Sequence, residues 1–176
     1  RTLYWDTSAE QTRDKYMGKI TNGVDLYDFE GYKVYRATDF EFNDAYNITD
    51  GDGNATFMEP YVQNGIPARW DLVNGKKGWH PIDLNGVKFY LGDDTGLVHS
   101  YVDNNVVNGQ RYYYAVVSYD YGGDLNNNII PSDSPMRLRV HPVTGAIEMG
   151  PNVVAVTPSP PSSGYVEANL DGNSIE

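Results

Sequence analysis

The chain contains no cysteine. That excludes a disulfide framework, a thiolate zinc site and a cysteine nucleophile. Basic residues are scarce: 13 Lys and Arg against 24 Asp and Glu give a net charge of −11. Such a surface repels phosphate backbones, which are gripped by clustered Lys and Arg, so nucleic acid is excluded as a partner. No apolar run approaches the ~20 residues that cross a bilayer as a helix, and no membrane span is expected. The G-x-S-x-G elbow, the phosphate-binding P-loop and the Rossmann glycine pattern are all missing. His80, His99 and His141 are scattered, and none has a nearby partner whose spacing suggests zinc. An initiator Met is absent too, and the start at Arg1-Thr2-Leu3-Tyr4-Trp5 is read as an interior point of a longer or processed chain.

What the chain does have points to strands. It is 176 residues long and 40% hydrophobic, enough for one domain with its own core. There are 15 tyrosines, a residue that fits a pleated, half-buried surface. Asn-Gly, the strongest short-range hairpin signal, recurs at Asn22-Gly23, Asn64-Gly65, Asn74-Gly75, Asn85-Gly86 and Asn108-Gly109. No window carries helical apolar spacing over three turns, so helix should be minor.

Short alternating segments between these turns read as strands. They are Leu3-Tyr4-Trp5, Tyr32 to Arg36, Ala68 to Leu72, Gly78 to Ile82, Val87 to Leu91 and Val98 to Val102. The two segments flanking Asn74-Gly75 are expected to form a hairpin with each other. Arg111 to Asp120 is apolar or aromatic on both faces, which marks a central strand. Met136, Leu138 and Val140 alternate with Arg137 and Arg139, as in a half-buried strand. Val153 to Val156 is one more possible strand, followed by the Pro/Ser-rich run 157–164, which favours extended linker conformations.

Leu3-Tyr4-Trp5, Asp28 to Arg36, Tyr101-Val102-Asp103, Val106 to Val116 and Ser132 to Val140 together resemble a fibronectin type III domain, or a close immunoglobulin-like relative in bacterial surface proteins. The resemblance implies an all-β, antiparallel β-sandwich. It casts Tyr112 as the tyrosine corner, whose hydroxyl bonds to upstream backbone. Met136 to Val140 would be the last strand. The first strand of the family has no counterpart before Leu3, and Val153 to Val156 is a candidate to fill that gap. Residues 38–97 form a β-rich insertion between the third strand and the later ones, far longer than the usual ~4–6 residues, and must carry their own structure. The organisation expected is a sandwich over 1–144 and an extra strand with a linker over 145–176.

Several constellations are candidates for chemistry. Asp50, Asp52 and Asn54 place oxygens at alternate positions, as a Ca²⁺ loop does. An EF-hand would need glycine and a bidentate Glu where Ala55 and Tyr61 stand, so Glu59 or a distant acid would have to complete the shell; a Gly/Asp/Asn turn needs no metal at all. Asp93 and Asp94 lie in a second acidic turn. Adjacent acids on a strand diverge, so turn capping explains them better than a carboxylate pair. Trp70 and Trp79 could stack on sugar rings or close a satellite core under the insertion. Tyr119 and Tyr121, with Asp120 and Asp124, border the loop after the long strand, at an end of the sandwich where binding loops cluster.

The family resemblance implies binding, adhesion or spacing rather than catalysis. The expectation is therefore a non-catalytic structural or adhesive module of a larger extracellular or cell-surface protein, touching neighbouring domains of its own polypeptide or other surface proteins. The alternative is a carbohydrate-binding module attached to a secreted hydrolase, calcium-stabilised at Asp50, Asp52 and Asn54, with polysaccharide as its ligand.

Overall fold

The computed structural model of the protein describes residues 1–20, 27–123, 128–160 and 162–164. The Asn22-Gly23 turn, Asp124, Asn126 and Asn127, and the polar stretch 169–176 lie outside these residues. The strands are β1 (Thr2–Tyr4), β2 (Phe29–Ala37), β3 (Ile48–Thr49), β4 (Ala55–Phe57), β5 (Val62–Gln63), β6 (Ile66–Pro67), β7 (Arg69–Asp71), β8 (Trp79–Leu84), β9 (Val87–Tyr90), β10 (Ser100–Val102), β11 (Tyr112–Asp120), β12 (Leu138–Val140), β13 (Ile147–Met149) and β14 (Val153–Val156). A 3-10 turn (Ser8–Gln11) and the short helix α1 (Lys15–Ile20) are the helical elements described. Asp14 starts α1 by accepting the N–H groups of Tyr16 and Met17 at 2.6 and 2.9 Å. The protein is predominantly β, and no described helix is long and apolar enough to cross a membrane.

The frame is a four-stranded antiparallel sheet in the order β14-β11-β2-β7. β11 lies between β14 and β2, as its two apolar faces require. Val34, Tyr112 and Tyr114 point to one face, where the antiparallel pair β1–β10 packs over them through Leu3 and Tyr101, with Trp5 beside Leu3. Tyr35, Ala37, Tyr113, Ala115 and Val117 point to the other, against Phe42, Ala45 and Met58 of the insertion and the partly buried Met136 and Leu138. Both faces of the sheet are therefore packed, and three layers result.

Two hairpins in the insertion turn on Asn-Gly. Asn64 and Gly65 have φ of 54° and 78°, and Asn85 and Gly86 have 51° and 85°. Positive φ at both central residues gives a type I′ turn, whose twist matches that of the flanking strands. The turns join β5 to β6 and β8 to β9. Asn74-Gly75 behaves differently from the expectation. The segments on either side of it do not pair with each other: β7 joins the main sheet beside β2, and β8 pairs forward with β9. The 74–75 loop is held instead by Asp94, which accepts the N–H groups of Asn74 and Gly75 at 3.2 and 2.9 Å.

The last strand also differs. Met136 to Val140 does not lie beside β11; β12 pairs with β13 in a separate hairpin. The edge of β11 is occupied in two pieces. Ser132 to Ser134 runs along its second half, with Ser134 N–H donating to the Ser118 carbonyl at 2.7 Å. The chain then leaves as the β12–β13 hairpin and returns as β14 along the first half. Val153 to Val156 is thus committed to β11 and does not fill the position next to β1. Alternation specifies which side chains face inward, but not which neighbour a strand takes.

Buried polar groups tie the layers together. Asp103 is completely buried and accepts from Arg36 Nη1 at 2.9 Å, Tyr114 Oη at 2.8 Å and Asn105 N–H at 2.8 Å. Val107 N–H donates to Tyr112 Oη at 3.0 Å. Lys33, on the inner face of β2, pairs with Asp133 at 2.9 Å, and Asp133 also accepts from the Tyr35 hydroxyl. Burial pulls the Lys33 ammonium below its usual pKa, and Asp133 opposes that pull.

Candidate ligand-binding groove

The β8–β9 hairpin projects an aromatic pair. Trp79 and Tyr90 are cross-strand partners, with ring centroids 4.8 Å apart at 80°. This edge-to-face arrangement sets the ring edge of one against the electron-rich face of the other. Trp79 is 65% exposed, whereas Trp5 and Trp70 are half-buried. Phe89, between them in sequence, points the opposite way and anchors the hairpin edge-on against Phe57 at 5.4 Å. Lys33 Nζ sits 3.8 Å from the Phe89 ring centroid, a cation–π contact beneath the hairpin.

A groove of about 560 Å³ opens beside this pair, and Glu59, Arg69, Trp79, Val87, Lys88 and Tyr90 contribute to its walls. Arg69 reaches from β7 over the Tyr90 ring at 4.3 Å and pairs with Asp93 at 3.5 Å. Tyr90 donates its hydroxyl to Asp93 at 2.5 Å, which raises the phenol pKa above its ordinary value. Glu59 accepts from Asn47 Nδ2 at 2.6 Å. The groove thus offers an exposed indole plane, the cationic side chains of Arg69 and Lys88 beside the buried Lys33, and the Glu59 carboxylate. Arg69 and Glu59 already have partners within the fold, so the groove presents surface and hydrogen-bonding groups.

The other candidate residues fall elsewhere. Trp70 does not join Trp79. It packs between Trp5 (5.8 Å) and Tyr101 (5.5 Å) under the β1–β10 layer. Tyr119 is only 2% exposed and donates its hydroxyl to the Leu91 carbonyl, so it has no surface to offer a ligand. Tyr121 is half-buried, with Lys76 Nζ 2.9 Å from its ring centroid. The Asp50–Asn54 segment is the β3–β4 turn. Asp50 Oδ1 accepts the N–H groups of Asp52 and Asn54 at 3.0 and 2.8 Å, and Asn54 Nδ2 lies 3.2 Å from Oδ2. Those donors hold the Asp50 carboxyl below its usual pKa. Glu59 is engaged with Asn47, and no group of three His, Asp or Glu among the described residues is arranged to hold a metal ion.

Asp93 and Asp94 diverge: Asp93 meets Tyr90 and Arg69, while Asp94 caps the 74–75 loop and pairs with Lys77 at 2.9 Å. The histidines have separate partners. His80, buried, contacts the Gly123 carbonyl at 2.8 Å, and His99 contacts Glu10 at 2.6 Å. Sequence reasoning missed Arg69 and Tyr90 as members of one site. Tyr90 lies at the alternating position opposite Trp79 across an Asn-Gly turn, which was the available signal; Arg69 reaches the site only because β7 joins β2.

Comparison with models of known protein families, with curated proteins and with solved structures finds no significant match in any of the three.

Proposed function

We propose that the chain is a non-catalytic contact module of a larger extracellular or cell-surface protein, built on a fibronectin type III-like sandwich. The sandwich reading is supported by the order β14-β11-β2-β7 with β1–β10 packed across it, and by the bond from Val107 N–H to Tyr112 Oη, a bond between a tyrosine hydroxyl and upstream backbone of the kind a tyrosine corner would make. The observation that carries the functional reading is Trp79, a large aromatic left 65% exposed at the rim of a groove. Burying such a ring removes much apolar surface from water at low entropic cost, which is why tryptophan anchors contact sites. In this reading the insertion carries the contact, and the sandwich holds it at a fixed place relative to neighbouring domains.

A second reading is favoured by the same indole plane with Arg69, Lys88 and Glu59 around it: stacking on a sugar ring, with its hydroxyls bonded at the edges. One experiment separates the two. Native gels cast with soluble polysaccharides are run with the wild type and with Trp79→Ala, and both proteins are tested for binding to extracellular-matrix and cell-envelope preparations. Retardation in the gel that is lost in the variant assigns polysaccharide. Binding only to protein surfaces, again lost in the variant, assigns protein contact. Equal behaviour of the two proteins everywhere removes the groove from the function.

A further inference from the structure

Glu30 is an ionisable residue placed where water does not reach it. It lies on β2, wholly buried, and its Oε1 has no hydrogen-bond partner. Oε2 accepts from Asn74 Nδ2 at 3.1 Å. That amide is a bridge, because its own oxygen accepts the Lys76 N–H at 2.8 Å. The loop between β7 and β8 is thereby tied to Glu30 through one side chain. The Lys76 side chain turns elsewhere: its Nζ lies over the Tyr121 ring, 2.9 Å from the centroid. Residues 73–77 are all exposed, so this arm has room to move.

The groups facing Glu30 are mostly acids or already committed. β7 presents Asp71, wholly buried, which accepts from the N–H groups of Asp94 and Thr95 and from the Thr95 hydroxyl. The 92–96 turn presents Asp94, which holds the Asn74 and Gly75 N–H groups and pairs with Lys77. β11 presents Tyr119, whose hydroxyl is given to the Leu91 carbonyl. Lys33 and Arg69, at the same end of the sheet, are paired with Asp133 and Asp93. Burial raises the Glu30 carboxyl to about 7; Asn74 and Lys76 oppose the rise, and Asp71 and Asp94 add to it. The opposing cation, Lys76, is carried by the loop that Asn74 ties to Glu30.

We propose that the β7–β8 loop is a charge-operated latch: when Glu30 ionises, Lys76 leaves the Tyr121 ring and pairs with the Glu30 carboxylate. Protonated, Glu30 offers no charge for an ammonium to answer, and the ring face holds Lys76 by cation–π attraction. Ionised, Glu30 is a buried charge that the neighbouring carboxylates repel and an approaching cation relieves. In surroundings of low dielectric that attraction outweighs the pull of a half-buried ring. The step also releases the face of Tyr121 that Lys76 covers. Loss of one proton inside the sheet is thus read out as an aromatic surface beyond the end of β11. The Trp79 groove plays no part in this step, and the test is independent of that reading.

The test is an NMR titration of the whole chain across neutral pH, with carbon labels in its lysines and glutamates. A lysine held over an aromatic ring has its Cε protons shifted upfield by the ring current. Lys76 should lie upfield in mild acid and lose that shift as pH rises, with the midpoint at which the Glu30 carboxyl carbon titrates, near 7. In Glu30→Gln the Lys76 signals should stay upfield throughout. Lys76→Met, a change on an exposed loop, should raise the Glu30 midpoint by about half a pH unit or more, because the relieving charge is gone. A Lys76 signal that never lies upfield, that ignores pH, or that moves equally in Glu30→Gln overturns the proposal. So does a Glu30 midpoint that Lys76→Met leaves in place, which would mean that water or local opening answers the buried charge instead. Lys76→Met decides the matter by itself should Glu30→Gln fail to fold.

Discussion

Glu30 gives the sharpest test of the energetics. It lies on β2, wholly buried; Oε2 accepts from Asn74 Nδ2 at 3.1 Å, and Oε1 has no hydrogen-bond partner. Burial lifts its pKa from 4.5 to about 7, with Asp71 and Asp94 adding to the rise while Asn74 and Lys76 oppose it. A raised carboxyl pKa means that the folded chain holds this proton more tightly than the unfolded chain does. The stabilisation is complete below pH 4.5, falls as the unfolded chain ionises, and is lost once pH passes about 7. At ~1.36 kcal/mol per pH unit the full loss is about 3 kcal/mol. Glu30→Gln removes the titration and keeps the shape. Its fixed cost is that of orienting an amide among carboxylates, and this does not vary with Glu30 protonation. Urea melts of both proteins at intervals from pH 4.5 to 8 isolate the effect as a difference, because other carboxylates titrate in both. The variant should gain about 3 kcal/mol relative to wild type across that range, or about 6–12 °C in melting temperature for a domain of this size. A difference between the two proteins that stays flat with pH would refute the reasoning.

Other perturbations probe separate parts of the fold. Asp103→Ala leaves the part-buried Arg36 without its carboxylate counter-charge and Tyr114 Oη without its acceptor, and should cost about 3–5 kcal/mol in urea unfolding. Gly31→Ala drives a Cβ into the Trp70 carbonyl and against the Tyr119 ring; it should destabilise by about 1–3 kcal/mol and speed amide exchange along β2–β7. Asp50→Ala in the presence of chelator should lower the melting temperature slightly, because the turn loses its acceptor. The wild type melted with and without Ca²⁺ reads metal binding separately: an ion held only by the folded chain adds about 2.7 kcal/mol at a hundred times its Kd. Iodide should quench Trp79 more than Trp5 or Trp70, and Trp79→Ala should abolish most of that quenching while moving the melting temperature little.

Much of the local structure was legible because it is written within a few residues. The Tyr112 to Asp120 strand declared its central place through two apolar faces, and the turns at Asn64-Gly65 and Asn85-Gly86 declared themselves through residues that tolerate positive φ. Asn74-Gly75 has the same letters but forms a loop, because its conformation answers to Asp94, twenty residues away in sequence. The tryptophans show a similar divide. Trp70 and Trp79 look alike as members of short strands flanking one turn, yet pairing of β7 with β2 turns Trp70 into the core, and pairing of β8 with β9 leaves Trp79 outside.

From the sequence alone come the β class, much of the turn chemistry, the two packed faces of the Tyr112 to Asp120 strand and the exclusion of cysteine chemistry. These depend on composition and on a two-residue period, which any reader of the chain can see. Tertiary structure decided which strands are neighbours: that Val153 to Val156 completes the main sheet and that Met136 to Val140 does not. It also decided where buried charge is tolerated, by bringing Asp133 to Lys33 and Asp103 to Arg36 across separations of 100 and 67 residues. Partner choice is a long-range balance of burial against chain closure, and no local period encodes it.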